Sequence, residues 1–463
     1  MKWYLISNHC NLKSILIFKK EVILLFIFQS LVLSNNNGKK ITLNDIGLND
    51  HFISLSGSLG KNYKFDSDYI DLDTASNKFN YLIRNYSRSG YLPFQQINIR
   101  FLHKGKNILL AIEPSIISSH RGFYINQTNY SRGGISSSLN NAFLRITNQY
   151  NNISLLLGRS IFYWGKSQNS SIIKGVDSGP VDFLSLNYYY KNFRYETLFS
   201  QLEPLIDFNE NNYNRYFIGK RLVYRKKRFE VEFGELFLYS GINRSFDLRF
   251  STPFMPLFIK DINTSEFEIS DNYNSIIFSS FEFNLSNELK FFNEIIVDDI
   301  QIDDTGRDDK LGLKLGFDFA NNNNYSLLYE YTNIGKSTYL HSGKFTSYHF
   351  YERPIGYKYG PDAISHDFLL KINYDQNIFF NLGFTHLKKG STNILQNDYD
   401  RYQTAMKNDK IVSKFFHFGI TTLFRNFILN ISCSNFPSVN QELSGYIEEN
   451  PKVGLVIDLN YFK

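Results

Sequence analysis

Segments of about ten residues in which apolar and polar side chains alternate recur along most of this chain. Residues 311–319 read Leu-Gly-Leu-Lys-Leu-Gly-Phe-Asp-Phe, and residues 325–332 and 367–374 repeat the pattern. Successive side chains of a β-strand point to opposite faces, so each such strand has one apolar and one polar face. Beyond residue 50 no run of about 18 apolar residues occurs, which excludes a membrane-spanning helix there. The sequence therefore predicts an all-β chain.

The apolar faces of these segments are rich in aromatic residues. Aromatic residues make up 17% of the chain, with 32 Tyr and 44 Phe. The buried face of a soluble β-sandwich consists mainly of Val, Ile and Leu, whereas here Tyr and Phe lie toward the strand ends. Outer-membrane barrels place girdles of aromatic residues at those positions, where the strands leave the membrane. The composition favours a membrane barrel over a soluble sandwich.

Short and long connections between the segments alternate along the chain. The short ones are residues 103–106, 225–228, 321–324 and 374–377. The long and polar ones are residues 117–138, 241–274, 333–364 and 388–409. Alternation places every short turn at one end of the sheet and every long loop at the other. This layout predicts a transmembrane antiparallel outer-membrane β-barrel with short periplasmic turns and long extracellular loops.

We predict about 18 strands within a barrel that comprises residues 51–463. An even number of strands returns both ends of the barrel to the periplasmic side. The expected strands are residues 51–60, 93–102, 107–117, 139–148, 153–163, 181–190, 191–199, 215–224, 229–240, 275–284, 289–298, 310–320, 325–334, 365–374, 378–388, 410–424, 425–434 and 453–462.

The N-terminal residues resemble an export signal. Lys19 and Lys20 precede a short apolar run, and Val32 and Ser34 occupy the −3 and −1 positions of a small-residue cleavage site. The run is too short to cross the membrane as a helix. We predict a signal peptide over residues 1–34, a short periplasmic segment over residues 35–50, and location in the outer membrane.

Charge and cysteine content narrow the classes of partner. The net charge of +6 comes from basic and acidic residues that are interleaved, so no nucleic-acid partner is expected. Cys10 lies in the predicted signal peptide, which leaves Cys433 alone. Neither a disulfide nor a cysteine metal site is therefore expected.

Local catalytic motifs are missing from the sequence. It contains no Gly-x-Ser-x-Gly, His-Glu-x-x-His or phosphate-binding loop, so we predict no enzyme, no catalytic residue and no cofactor. His386 and His417 are expected to be structural, although a hydrolase with a dispersed triad stays open as an alternative. An acidic cluster is either a solvated loop or a calcium site without the usual ligand spacing, and we predict no metal. Its members are Asp298, Asp299, Asp303, Asp304, Asp308 and Asp309.

Charged residues of both signs are expected to face the barrel interior. A selective ion pore would instead show a ring of one sign. Mixed charge favours cross-strand pairs that hold the wall rigid, with contact to a ligand as the alternative. The expected interior residues are Arg194, Glu196, Glu230, Glu232, Lys290, Glu294, Lys314, Asp318, Glu330, Asp367 and Lys371.

Five stretches go beyond the general pattern of a barrel. They are residues 159–186 with Tyr-Trp-Gly, residues 215–222, the Pro-Phe-Met-Pro of residues 253–256, the Val-Asp-Asp-Ile-Gln of residues 297–301, and residues 353–363 with Arg-Pro-Ile-Gly and Gly-Pro-Asp-Ala. In this order they resemble the Wzi family of capsule-assembly outer-membrane proteins. The resemblance implies an 18-stranded barrel that acts as a lectin and attaches capsular or related exopolysaccharide to the cell surface.

One part of the family pattern is missing. Members of the Wzi family can carry an N-terminal helical bundle that blocks the periplasmic mouth. Residues 35–50 leave room for one short helix at most, so this device is not expected here. The partners implied are capsular or exopolysaccharide and outer-membrane lipid, and the barrel is expected to be a monomer.

Aromatic residues in two long loops form the candidate carbohydrate site. Sugar rings offer apolar faces and many hydroxyl groups, so their sites combine aromatic platforms with fixed polar groups. The candidates are Tyr348, His349, Tyr351, Arg353, Tyr357, Tyr359 and Asp362, with Tyr163 and Trp164 in a second loop. The alternative is that these aromatic residues pack the loops against each other. The competing function is that of a porin or other outer-membrane channel or transporter.

Overall fold

The chain is built of antiparallel β-strands, as its computed structural model shows. The structure describes residues 78–88, 94–117, 130–132, 135–207, 209–247, 250, 273–299, 309–321, 325–341, 345–351, 353–375, 377–395, 410–423, 427–436 and 452–462. All of them belong to one unit of contacting residues, Leu48–Lys463. The predicted signal peptide, the segment over residues 35–50 and the predicted strand over residues 51–60 lie outside the described residues.

Twenty-two strands occur in the described part of the chain, four of them only two or three residues long. In chain order they are β1 Lys78–Arg88, β2 Phe94–Lys104, β3 Ile108–Ile117, β4 Tyr130–Arg132, β5 Ile135–Thr147, β6 Ile153–Ser160, β7 Val181–Tyr190, β8 Phe193–Gln201, β9 Leu205–Ile206, β10 Asn212–Lys226, β11 Phe229–Ile242, β12 Tyr273–Asn284, β13 Leu289–Asp299, β14 Lys310–Asn321, β15 Tyr325–Ile334, β16 His349–Phe350, β17 Arg353–Pro354, β18 Ala363–Asn373, β19 Ile378–Lys389, β20 Ile411–Leu423, β21 Phe427–Phe436 and β22 Lys452–Phe462.

Each long strand pairs antiparallel with the next long strand along the chain. β22 pairs in turn with β1, in a register that runs from Asn80↔Phe462 to Arg88↔Gly454. Pairing of the last strand with the first is what turns a sheet into a barrel. The prediction of an all-β, antiparallel outer-membrane barrel is confirmed. No helix long and apolar enough to cross a membrane occurs among the residues described.

The strand next to β2 differs from the one expected from the sequence. β1 comprises Lys78–Arg88 and pairs with β2 from Lys78↔Leu102 to Tyr86↔Phe94. Its sequence, KFNYLIRNYSR, alternates poorly because Arg84 and Asn85 interrupt the apolar residues. The alternation rule therefore missed it.

The two ends of the barrel differ in the lengths of their connections. At one end β7 and β8 are joined by residues 191–192, and β10 and β11 by residues 227–228. At the other end β6 and β7 are joined by residues 161–180, and β15 and β18 by residues 335–362. The segregation of short and long connections agrees with the sequence pattern, and by the usual layout of outer-membrane barrels we assign the short end to the periplasm and the long end to the outside.

Burial alternates along the strands as the sequence pattern requires. In β7, Leu184, Leu186 and Tyr188 are exposed on the outer face, whereas Ser185 and Asn187 are buried on the inner face. An exposed apolar face suits contact with lipid, and a buried polar face suits a filled interior. Whether the interior is filled or open to water determines whether the barrel can conduct solutes.

Candidate functional site

Residues 161–180, here called the plug loop, leave the external end of β6 and run down inside the barrel. The Gln168 side-chain amide donates to Asp318 at 2.5 Å, three residues before β14 ends at the periplasmic side. The Lys166 ammonium group pairs with Glu230, the second residue of β11. Both wall residues lie close to the short turns. The plug loop therefore extends through most of the height of the barrel.

Glu294 is the main anchor of the plug loop on the barrel wall. This fully buried carboxylate on β13 accepts the backbone N–H groups of Lys166 at 2.5 Å and Ser167 at 2.8 Å. It also accepts the Ser171 hydroxyl and the Ile172 N–H, both at 2.9 Å. A buried carboxylate is tolerated when several donors surround it, and four donors from one loop do so here. Three of these four donors are backbone N–H groups, so Glu294 fixes the position of the loop backbone.

A second buried carboxylate holds the lowest part of the plug loop. Glu330 on β15 accepts the Ser167 hydroxyl at 2.9 Å and the Gln168 N–H at 2.8 Å. Lys314 on β14 lies 3.2 Å from Glu330 and donates to the Ser167 hydroxyl at the same distance. Both charged side chains are fully buried. The mixed interior charge thus forms cross-strand pairs, and it also binds the chain's own loop.

Trp164 fills the space beside this network. Its indole N–H donates to Glu196 at 3.3 Å, and the Arg221 guanidinium lies 4.8 Å from its ring centroid. Arg221 also binds the carboxylates of Glu196 and Glu232. A Cβ on Gly219 would lie 2.4 Å from the indole ring, so the wall strand must carry glycine there. The tryptophan is a packing residue of the interior.

Residues 335–362, here called the crossing loop, extend over the external mouth. Arg215 on β10, which four other strands separate from β15, is fully buried and anchors this loop. Its guanidinium donates to the carbonyl groups of Phe345 at 2.8 Å and of Ser347 and His349 at 2.9 Å. A salt bridge to Glu203 at 3.0 Å neutralises the buried charge. The crossing loop is therefore fixed at a distant part of the rim.

The crossing loop packs directly on the plug loop. The Tyr339 and Tyr348 hydroxyl groups donate to the carbonyl groups of Ile172 at 2.6 Å and Ile173 at 3.0 Å. The two tyrosine rings stack with centroids 5.6 Å apart. The Gly175 N–H donates to the Ile355 carbonyl at 2.8 Å. The two loops form one layered body, with the plug loop inside the barrel and the crossing loop above it at the external mouth.

Most of the aromatic and polar residues proposed for sugar binding lie inside this body. Six of the nine candidates are at most 7% exposed: Tyr163, Trp164, Tyr348, His349, Tyr357 and Asp362. Tyr357 donates to Ser365 at 2.6 Å, and Asp362 accepts the Thr392 hydroxyl at 3.3 Å. These contacts correspond to the alternative considered from the sequence, in which the loops pack against each other. Tyr351, Arg353 and Tyr359 are the candidates that reach the surface.

Tyr351 stands at the tip of the small β16–β17 hairpin and is 43% exposed. Its N–H donates to Glu203 at 2.8 Å, and its φ of 46° lies in the left-handed region that favours glycine, asparagine or aspartate. Burial and the charge of Glu203 raise the pKa of its hydroxyl. The Arg159–Asp182 pair, joined by contacts of 2.9 and 3.2 Å, acts electrostatically on the same hydroxyl. An aromatic face and fixed charges thus meet at the rim.

Burial affects two ionisable groups of the plug loop, the fully buried Lys174 and the half-buried Asp177. Desolvation lowers the pKa of Lys174 to about 7 against the opposing effect of Asp177. Desolvation likewise raises the pKa of Asp177, although Lys358 and Arg353 oppose the rise. Lys174 lies 3.3 Å from the Ser178 hydroxyl, and Asp177 accepts the Ser170 hydroxyl at 3.2 Å. The hydrogen bonds to Ser178 and Ser170 offset part of the cost of burying the two groups.

The acidic cluster proposed from the sequence divides in the structure. Asp298 accepts the Tyr339 N–H at 2.7 Å and so supports the crossing loop. Asp303, Asp304 and Asp308 lie outside the described residues. No group of three or more metal-ligating side chains occurs in the part of the chain that the structure describes.

The sequence did not reveal the plug loop. Residues 161–180 stood out only for Tyr163-Trp164-Gly165 and a run of small polar residues from Ser167 to Ser171. The hydroxyl and backbone groups of that run are what bind Glu294 and Glu330. The available signal was an interior carboxylate without a cation directly across the strand pair. Lys314 lies opposite Glu294 in register, whereas Glu330 lies opposite Gly316.

Comparison with solved structures agrees with the fold. The barrel resembles Wzi, described as an outer-membrane protein involved in group 1 capsule assembly in Escherichia coli and as a carbohydrate-binding β-barrel, with a TM-score of 0.59, 12% identity and coverage of 83% of this chain and 84% of that one. OpdK from Pseudomonas aeruginosa matches with a TM-score of 0.49, 8% identity and coverage of 84% and 99%. OccAB2 from Acinetobacter baumannii matches with a TM-score of 0.48, 9% identity and coverage of 84% and 98%.

No protein-family model and no curated protein matches the chain. Identities this low establish the fold alone. The protein is an outer-membrane β-barrel with loops packed into its interior.

Proposed function

We propose that this protein is a closed outer-membrane barrel that attaches capsular or exopolysaccharide at the cell surface, without an enzymatic role. The observation that carries the proposal is the filled interior. The plug loop occupies the lumen, where Glu294 and Glu330 accept its backbone N–H groups, and the crossing loop covers it at the external mouth. A porin requires a continuous water path, whereas a surface-attachment protein does not.

The exposed rim supplies the second support. Tyr351 combines an exposed ring with the neighbouring Arg159–Asp182 pair, and Arg353 follows it closely in the same hairpin. Aromatic rings stack on the apolar faces of sugars, and arginine forms charge-assisted bonds with acidic sugars. The backbone of Tyr351 has a positive φ, which is unfavourable for a tyrosine. Strained backbone conformations of this kind are frequent at binding sites.

The resemblance to the Wzi family is consistent with the same function. The likeness of the fold to a carbohydrate-binding barrel gives a precedent for sugar recognition by such a barrel. A single rim contact of this kind is weak. Retention of a long polymer would therefore come from many barrels that hold one chain.

The test combines two measurements on the same cells. We expect Tyr351→Ala with Arg353→Gln to release polysaccharide into the medium while the barrel keeps its heat-modifiable migration. The matched control is Tyr150→Ala, which removes a tyrosine that is 77% exposed at the periplasmic end and should change nothing.

Two outcomes would contradict the proposal. One is normal surface polysaccharide in the folded double variant. The other is steady ion conductance of the purified wild-type protein in a planar bilayer, which would favour the porin.

A further inference from the structure

A row of basic side chains crosses the outer face of three neighbouring strands near the external end. His366 on β18 pairs in register with His386 on β19, and His386 pairs with Lys414 on β20. Lys388 lies two residues beyond His386 on the same face. The alternate residues Ser365, Leu387 and Ser413 are buried inside the barrel, so this row faces outward. We call His366, His386, Lys388 and Lys414 the basic row.

An aromatic row lies immediately below the basic row. Tyr329, Phe368, Phe384 and Phe416 follow one another across β15, β18, β19 and β20, with ring centroids 4.7, 6.4 and 5.0 Å apart. Rows two residues apart on a strand are separated by roughly 7 Å. Aromatic girdles mark the boundary between hydrocarbon and headgroups. The basic row is therefore at the level of the outer-leaflet headgroups.

The two rows are physically connected. The Tyr329 hydroxyl is 3.0 Å from His366 Nδ1, and the imidazole rings of His366 and His386 lie 6.1 Å apart. Lys388 and Lys414 are both exposed. The basic groups thus form a continuous surface on top of the aromatic row.

Acidic side chains are missing from the described outward face around the basic row. On the outward faces of β15, β18, β19 and β20, as far as these strands are described, no Asp or Glu occurs. Like charges that lie close together on one face of a sheet repel, so an anion bound between Lys388 and Lys414 would relieve their repulsion. The interior of the same strands carries the opposite charges, Glu330 and Asp367, which face away from the lipid.

We propose that the basic row binds the phosphate groups of an outer-leaflet lipid headgroup. Lysine ammonium groups bind phosphate as point charges, and the imidazole N–H groups add donors. The aromatic row gives the acyl chains of the same molecule an apolar surface, which a free phosphate ion would not use. The ligand class is therefore a phosphorylated lipid rather than inorganic phosphate.

The experiment uses the purified full-length barrel in detergent with two probes, lipid A and chemically dephosphorylated lipid A. Native mass spectrometry counts the lipid molecules retained. The wild type should retain lipid A in preference to its dephosphorylated form. Loss of the charge-assisted contacts in His386→Gln/Lys388→Gln/Lys414→Gln should weaken retention about tenfold.

Matched variants separate the site from general charge. Lys226→Gln/Lys227→Gln removes two exposed lysines at the periplasmic end and should leave retention unchanged. Lys388→Arg/Lys414→Arg keeps the charge and should keep retention. Heat-modifiable migration verifies that each variant folds.

Several outcomes would overturn the assignment. Equal retention of lipid A and dephosphorylated lipid A by the wild type would show that the protein does not recognise the headgroup phosphate. This comparison does not depend on the folding of any variant. If the folded glutamine variant retains as much lipid A as the wild type, the basic row does not bind the lipid. If the glutamine variant keeps lipid A but releases polysaccharide, the basic row binds the polysaccharide and not the lipid.

Discussion

Glu294 shows how a single residue can determine the state of the barrel interior. Its two oxygens accept four hydrogen bonds from the plug loop, and the side chain is fully buried. If the charge is removed, these donors remain buried with weaker acceptors. Buried donors without good acceptors are costly, so the plug loop depends strongly on this carboxylate.

We expect Glu294→Gln to lower the free energy of unfolding by about 1–3 kcal/mol, because a neutral amide replaces a charged acceptor. Urea titration of the folded barrel in detergent, followed by heat-modifiable migration, measures the change. The control is Glu282→Gln on β12, whose partly exposed carboxylate lies 3.6 Å from Lys290 and should contribute less than about 1 kcal/mol. Equal losses in the two variants would contradict the special role of Glu294.

Tyr351 offers a second test at the residue scale. Asparagine tolerates its φ of 46° better than tyrosine, so Tyr351→Asn should raise the free energy of unfolding by up to about 1 kcal/mol. The same variant should retain less surface polysaccharide, because the ring is gone. Urea titration and a polysaccharide assay of the medium measure the two effects. A variant that loses stability would show that Tyr351 supports the hairpin.

The strands could be predicted from the sequence far better than the two loops. Alternation identified β14 and β15 within a residue or two, because the two faces of a strand see lipid and interior directly. The plug loop escaped prediction because its partners, Glu294 and Glu330, are 122 to 163 residues away along the chain. Tyr348 and Tyr357 looked like exposed binding residues for the same reason. The residues that cover them are distant in the sequence, so the neighbouring sequence gives no sign of their burial.

The crossing loop depends on Arg215, so Arg215→Gln should open it. The variant loses the charged donor that binds three loop carbonyl groups and the salt bridge to Glu203. Trypsin should then cleave after Lys358 about tenfold faster, as expected for the loss of one or two charged hydrogen bonds. Arg225→Gln is the control, because Arg225 is mostly exposed at the periplasmic end. Equal cleavage rates in the two variants would contradict the anchoring role.

At the scale of the whole molecule, the interior contains a removable part. β6 and β7 already pair up to Ser160↔Val181, so the wall is complete without residues 161–180. A two-residue hairpin turn is enough to join two paired antiparallel strands. Closure of the barrel therefore depends on the plug loop and not on the strands of the wall.

Replacement of residues 161–180 by Asn-Gly should convert the barrel into a conducting pore. Planar-bilayer recordings should show steady openings of the variant, while the wild type stays silent. The reason is that the carboxylates and cations left on the wall, such as Glu330 and Lys314, become hydrated. A folded variant that does not conduct would mean that the crossing loop alone seals the mouth.

The long sequence separation between the plug loop and its anchors has a consequence for the order of assembly. Ser167 and Ile172 are synthesised long before Glu294 and Glu330, the residues that hold them. Contacts between such distant parts of a chain form slowly, since a large loop must close first. The loop can take its final place only after β13 and β15 have joined the growing sheet. We therefore expect sealing of the barrel to follow the pairing of β13 and β15, and an assembly intermediate without these two strands to be leaky.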